Sequence, residues 1–403
     1  MANEAPLPAL IIGAGPAGLA SAACLARRGV EAVVLEAEAN LGASWRRHYD
    51  RLHLHTVKEE SHLPGLPFDA AVGRYPSRDE VVAYLETYAA RFAIAPRTGE
   101  AARRVRPDGE GGGGFVVEAS RQIYRARAVV VATGVNRAPN PERLPGDERF
   151  GGALLHASAY RSGEPFAGRR VLVVGAGNTG AELALDLAER GARPTLALRT
   201  PVNVVPRDFL GMPTQVTGIR LRRAPLGLAD AASRLVSRLA FGDLSRLGFP
   251  RPARGALSDL ALRRRIPLID VGTIAAVARG EIAVRPAVAR LTETGAVFAD
   301  GRAEAFDAVV LATGYRPALE GLVDVAGVLD EHGYPRDWRG GGACPDLYFV
   351  GYANVSTGLL REIAREAEAV AEAVAGARPP VDGERVTSPP EATPPARPAR
   401  KKA

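Results

Sequence analysis

Cysteine is scarce. The chain of 403 residues has two, Cys24 and Cys344, far apart and in no CxxC pair. This argues against a disulfide framework and a dithiol redox centre, and makes a reducing compartment, the cytoplasm, the expected setting. Lysine is nearly absent too: Lys58, Lys401 and Lys402 stand among 52 basic residues, the rest being arginine. With abundant alanine, that bias reads as the imprint of a GC-rich genome. No stretch approaches the roughly 18 uninterrupted apolar residues of a membrane span, so integral membrane association is not expected. The opening MANEAPLPALIIGAG lacks a basic n-region, and its short apolar run reads as a strand, not a signal peptide. The net charge of +7 includes a tail from Ala377 with six basic and three acidic residues; what remains is too small and dispersed to argue for nucleic acid. The histidine group His48, His53, His55 and His62 lacks the spacing of a one-helix zinc site, so no metal is expected.

What the sequence does have is one supersecondary unit used twice. A strand at 9–12, a glycine-rich turn, a helix over 16–28 stopped by Gly29, and a strand at 32–36 form the first copy. The second has a strand at 170–174, a turn, a helix ending near Arg190, Gly191 as stop, and a strand at 195–199. Two more apolar strands, 128–132 and 308–312, run into Thr133-Gly134 and Thr313-Gly314, and 347–350 runs into Gly351-Tyr352 before a helical segment over 358–375. The run 111–114 reads as a hairpin tip, and the Pro-rich basic stretch 377–403 as a disordered tail. The expected fold is α/β: two Rossmann-like three-layer dinucleotide-binding domains, the second inserted into the first. The expected partition is 1–165 and 306–376 for the first domain and 166–305 for the second, with a helical insertion at about 210–265 that covers the active site.

The turns carry the chemistry. In Gly13-Ala-Gly15-Pro16-Ala17-Gly18 the first glycine permits a tight turn, the second lets a pyrophosphate approach the backbone, and the third lets helix and strand pack closely. The helix N-terminus then offers N–H groups and positive dipole to phosphate. Glu36, at the end of the next strand and followed by Ala37, can accept from both ribose hydroxyls and repels a 2′-phosphate. The second turn, Gly175-Ala-Gly177-Asn178-Thr179-Gly180, repeats the logic, but Arg199 stands where the acid would be and can pair a 2′-phosphate. The pair of sites implies FAD in the first and NADPH in the second, hence hydride transfer to flavin and onward to another acceptor. Without a cysteine pair, the dithiol drops out of the acceptor choices.

Between the two sites lies Phe150-Gly-Gly152-Ala-Leu-Leu-His156-Ala-Ser-Ala-Tyr160, which matches FxGxxxHxxxY, the signature of flavin-containing and N-hydroxylating monooxygenases. The segments Tyr49-Asp-Arg-Leu-His-Leu-His55, Tyr75-Pro-Ser, Gly242-Asp, Leu268-Ile-Asp-Val-Gly-Thr273 and Phe306-Asp-Ala-Val-Val-Leu-Ala-Thr-Gly-Tyr315 further resemble the plant YUCCA-type flavin monooxygenases. The resemblance spans about 8–375 and suggests a bacterial relative. It implies a flavin C4a-(hydro)peroxide formed from dioxygen, and oxidative decarboxylation of an aryl-pyruvate such as indole-3-pyruvate. It also implies that His55, in the position of a catalytic Asn of animal-type enzymes, and Asn354 are catalytic. By the same resemblance Ser44, Trp45, Arg46, Thr133, Gly134, Gly351 and Tyr352 join the FAD site, Thr313 and Gly314 join the NADPH site, and His156 and Tyr160 couple NADPH binding to domain motion. The expected partners are a small-molecule substrate and dioxygen, with a homodimer left open. Three other readings stay in play: an N- or S-oxygenase, an NADPH oxidase that oxygenates nothing, and a flavin-bound sensing module without turnover. Leu235, Val236, Leu239 and Phe241 beside Arg234 and Arg238 read as a packed lid helix in preference to a membrane-surface helix.

Overall fold

The computed structural model describes residues 5–109, 113–221, 224–339, 342–353 and 355–376. Leu7–Ile12 has no polar side chain, as suits a strand covered on both faces, and its last four residues are buried. It pairs in parallel with Ala32–Leu35 on one side and Ile123–Val131 on the other. Ile123–Val131 is long enough to serve two further partners along its other edge. Its first half pairs antiparallel with Phe115–Ala119, and its second half pairs in parallel with Leu347–Phe349. Phe115–Ala119 in turn pairs with Ala102–Pro107, so the expected hairpin tip falls between paired strands, although 110–112 lie outside the described residues. The strands alternate cleanly between two layers. Ala9, Ile11, Ala128 and Val130 pack with helices Pro16–Arg27 and Leu359–Gly376, whereas Leu10, Ile12, Val129 and Val131 pack with Leu319, Leu322, Val323 and Val328.

The second sheet is wholly parallel, in the order Ala283–Pro286, Arg193–Leu198, Arg170–Val174, Ala308–Leu311, Ala153–His156. Helices Asn178–Glu189 and Thr273–Ala278 cover one face, and an antiparallel layer containing Val288–Thr292 and Gly295–Phe298 covers the other through Leu291, Ala296 and Phe298. Two three-layer units result.

The strand pairings correct the expected domain limits. Ala153–His156 and Ala308–Leu311, assigned from sequence to the first domain, are adjacent members of the second sheet. An apolar strand shows that it is buried, not which sheet it joins; that is settled by partners about 150 residues away, which local pattern does not report. The chain therefore crosses between the sheets before residue 153 and after residue 311.

The stretch 210–265 contains helices Thr214–Leu221, Leu226–Phe241 and Ala256–Arg263. Its base is a parallel pair, Val204–Pro206 with Leu268–Asp270. Buried Gln215 ties it to the first domain: its Oε1 accepts from the Val57 N–H at 2.8 Å, and its Nε2 donates to the Thr357 carbonyl at 2.6 Å. Among the described residues no helix is long and apolar enough to cross a membrane.

Candidate active site

The two glycine turns adopt one geometry. Gly13 and Gly175 have φ of +105° and +110°, and a Cβ on either would stand 2.6 or 2.5 Å from the carbonyl oxygen of Ala132 or Ala312. A Cβ on Gly18 or Gly180 would lie 1.8 Å from the carbonyl oxygen of the first glycine of its own turn. At Gly15 and Gly177, by contrast, a Cβ would meet nothing within 4 Å. The first and third glycines are thus required by the protein's own packing, and the second opens on space at a helix N-terminus, where a pyrophosphate fits. Each turn abuts the end of an Ala-Thr-Gly strand, whose glycine, Gly134 or Gly314, also has positive φ.

The residues beyond the two turns have different partners. Glu36 is held in place by N–H donors from Ala14 at 2.8 Å and Glu38 at 3.0 Å, with Ala37 exposed between the two acids. Arg199 is exposed and its guanidinium pairs with Glu142. Thr313 Oγ1 is buried without a hydrogen-bond partner beside the second turn, a polar atom suited to a bound dinucleotide. The Asn178 side-chain amide donates to the Pro267 carbonyl and accepts from the Ile269 N–H, so it straps the base of the insertion to the helix start. Pro16 and Ala17 form the first turn of the first helix, and Thr179 does the same in the second.

His55 is the centre of an inter-domain network. Its Nε2 lies 2.5 Å from Oε1 of Glu182, whose side chain is 4% exposed. Glu182 sits just inside the helix Asn178–Glu189, so a residue of the first domain is gripped by the second. Facing a carboxylate, Nε2 must carry hydrogen, because both atoms would otherwise be acceptors. That leaves Nδ1 for a ligand in the cavity His55 lines. The Tyr49 hydroxyl also meets Glu182, and burial together with that carboxylate holds its pKa well above the usual phenol value. One and two turns further along the same helix face, Asp186 accepts from the Tyr160 hydroxyl at 2.6 Å and the Gly163 N–H at 2.8 Å, and Glu189 takes Arg51 in a two-point pair at 2.8 and 2.9 Å. Tyr160 is thus fixed to this helix, and burial with Asp186 beside it pushes its pKa up.

The cavity has a volume of about 650 Å³. Phe209, Val236, Leu260 and Leu359 give it an apolar wall, and His55, Asn136 and Tyr352 bring polar groups to it. Among the described lining residues the basic ones are His55 and Arg264, which pair with Glu182 and with Asp330 at 2.9 Å, and the rest are apolar or neutral, which suits a largely apolar substrate. The Tyr352 and Thr133 hydroxyls are 2.9 Å apart, and burial pushes Tyr352 up to about 12. His156 Nδ1 accepts from the Ser158 N–H at 3.1 Å, and its Nε2 donates to the Gly314 carbonyl oxygen at 3.2 Å; burial lowers its pKa. Gly152 is tightly required, since a Cβ there would be 2.7 Å from both the Asp307 carbonyl oxygen and the Phe150 ring. Trp45 is half-buried against the first core, Ser44 is exposed, and Arg46 pairs with Glu86. Asn354 lies outside the described residues. Among the described residues no cluster of three metal-ligating side chains forms.

Four acids were not singled out in the sequence. Glu182 and its helix mates Asp186 and Glu189 look like ordinary polar helix positions, and only their four- and three-residue spacing hinted at a shared face. Glu366, in the helix Leu359–Gly376, accepts from the Gly351 N–H at 2.8 Å, and burial raises it to about 7. Its folded pKa exceeds the unfolded one, so its stabilising effect is whole below about 4.5 and is lost as pH rises through 7. We expect wild-type melting temperature to fall between those limits relative to Glu366→Gln, which keeps the acceptor; the gap approaches roughly 3 kcal/mol at neutral pH. Parallel melting curves across that range would contradict it.

Fold and site together define a flavoprotein of the two-dinucleotide type, and comparison with known proteins narrows the class. Residues 10–208 match the family described as pyridine nucleotide-disulphide oxidoreductase. The chain is 42% identical to the indole-3-pyruvate monooxygenase YUCCA1 of Oryza sativa subsp. japonica, over 85% of this chain and 86% of that one. It is 39% identical to the probable indole-3-pyruvate monooxygenase YUCCA1 of Arabidopsis thaliana, over 85% and 84%. Among solved structures it superposes on a mutant flavin monooxygenase from Stenotrophomonas maltophilia with a TM-score of 0.71 and 28% identity, covering 92% of this chain and 98% of that one. The chain belongs to the YUCCA-type flavin monooxygenase family.

Proposed function

We propose that the protein oxidatively decarboxylates an aryl-pyruvate such as indole-3-pyruvate. NADPH, a proton, dioxygen and the 2-oxo acid become NADP⁺, water, carbon dioxide and the acid shorter by one carbon. Bound FAD supplies the relay of two electrons from NADPH to dioxygen. The observation that carries the reading is His55, held by a buried carboxylate at a largely apolar cavity.

The chain's own residues divide the work. The backbone at Gly15 and the N-terminus of the first helix take the FAD pyrophosphate, and Glu36 takes the adenosine ribose. The backbone at Gly177 takes the NADPH pyrophosphate, and Arg199 exchanges Glu142 for the 2′-phosphate. Thr313 Oγ1 gains a partner there. The insertion excludes water from the cavity. His55, its Nε2–H held by Glu182, presents Nδ1 to the cavity as the atom that exchanges a proton with the oxygen on the reacting carbon as the carbonyl is attacked and re-formed. Two cysteines without a disulfide fit a reducing cytoplasm.

Product analysis tests the reaction. Indole-3-pyruvate should give indole-3-acetate stoichiometric with NADPH consumed. Stoichiometric N- or S-oxide from an amine or thioether panel, without acid from the 2-oxo acid, would overturn the substrate assignment. A second prediction follows from Arg199: Arg199→Gln should raise KM for NADPH about tenfold and leave KM for NADH unchanged. Equal effects on both cofactors would place the 2′-phosphate elsewhere.

A further inference from the structure

The outer face of the insertion is apolar and basic at once. In helix Leu226–Phe241, Leu228, Leu235 and Leu239 are 67, 58 and 66% exposed. Spacings of seven and four residues place them in one stripe, while buried Ala229 and half-buried Val236 line the cavity. The expected packed lid is therefore only half of this helix: Val236 turns inward, and Leu235 and Leu239 do not. Arg234 and Arg238 each precede a stripe leucine, so at about 100° per residue they flank it. The apolar surface continues to the cavity mouth, where Leu210, Met212, Ile266, Val355 and Leu359 are exposed and also belong to the lining.

Exposed charge across the insertion is predominantly basic, with Arg264 paired to Asp330. Among the described residues of 210–266, nine arginines are exposed against a single exposed acid, Asp243. The other two acids are spent inside. Asp230 accepts from the Leu257 and Ser258 N–H groups at 2.9 and 3.2 Å, and Asp259 accepts from the Asn203 amide at 3.0 Å. Such a stripe, flanked by guanidinium groups, matches the interface of a bilayer: leucines enter the acyl boundary and arginines meet phosphates at headgroup depth.

We propose that this face docks the protein on the surface of a bilayer rich in anionic lipid, with the apolar mouth of the cavity turned toward the acyl region. Docking is independent of which substrate the cavity takes. The test uses full-length holoenzyme and vesicles of phosphatidylcholine, alone or mixed with phosphatidylglycerol, separated by sedimentation. The protein should pellet with the mixed vesicles and stay in solution with phosphatidylcholine alone. Leu235→Glu/Leu239→Glu should lower the bound fraction about tenfold, and Arg234→Gln/Arg238→Gln should erase the preference for anionic lipid. FAD content and basal NADPH oxidation should be unchanged in both variants. Protein that stays in solution with mixed vesicles, or a leucine variant that pellets like wild type, would overturn the proposal. A concentration-dependent dimer that the leucine variant dissolves, without vesicle binding, would overturn it in favour of a second copy of the chain.

Discussion

Glu182→Gln should lower the rate of acid formation about a hundredfold while flavin reduction by NADPH without oxygen stays near its wild-type rate. The carboxylate forces hydrogen onto His55 Nε2; an amide can donate as well as accept, so it no longer fixes which nitrogen is protonated. Electrons still reach dioxygen, and hydrogen peroxide should replace acid as the product of the lost turnovers. Glu182→Asp, which restores the charge at a shorter reach, should recover part of the coupling. His55→Gln should match Glu182→Gln in size, and the double variant should be no worse than either single one, as expected of residues that act as a unit. A purely structural role for Glu182 would show otherwise: lower melting temperature, slower flavin reduction and unchanged coupling.

The second large effect separates the two nucleotide sites. A Cβ on Gly18 or Gly180 would stand 1.8 Å from the carbonyl oxygen of Gly13 or Gly175, so either alanine must push the glycine turn away from the helix start. Gly18→Ala should purify without FAD and show no activity. Gly180→Ala should purify yellow, with FAD bound, but NADPH should not bleach it. Only the site in which the alanine sits should fail, because each turn is braced by its own strand end, Ala132 or Ala312. A Gly180→Ala protein whose flavin is reduced at the wild-type rate would remove the second turn from the NADPH site.

These residues show what the sequence makes legible. The glycine turns were legible because each glycine answers a local demand: a positive φ, a close contact or an open approach. The positions of Glu36 and Arg199 were legible, each one residue past the end of the strand that follows its glycine turn. Strands 153–156 and 308–311 were legible as strands but not as members of the second sheet, since pairing joins residues far apart in sequence. Glu182 was invisible as a site residue for the same reason. An acid in the helix Asn178–Glu189 gains its meaning only from His55, 127 positions earlier. The half-packed helix Leu226–Phe241 shows a further limit: periodicity finds an apolar stripe but does not say whether protein covers it.

Electrons from NADPH should pass through this site to oxygenate a 2-oxo acid. The direct measurement is the ratio of indole-3-acetate and hydrogen peroxide formed to NADPH consumed, with saturating indole-3-pyruvate. The expected result is nearly one acid per NADPH and little peroxide. Peroxide equal to NADPH, with no acid formed, would contradict it.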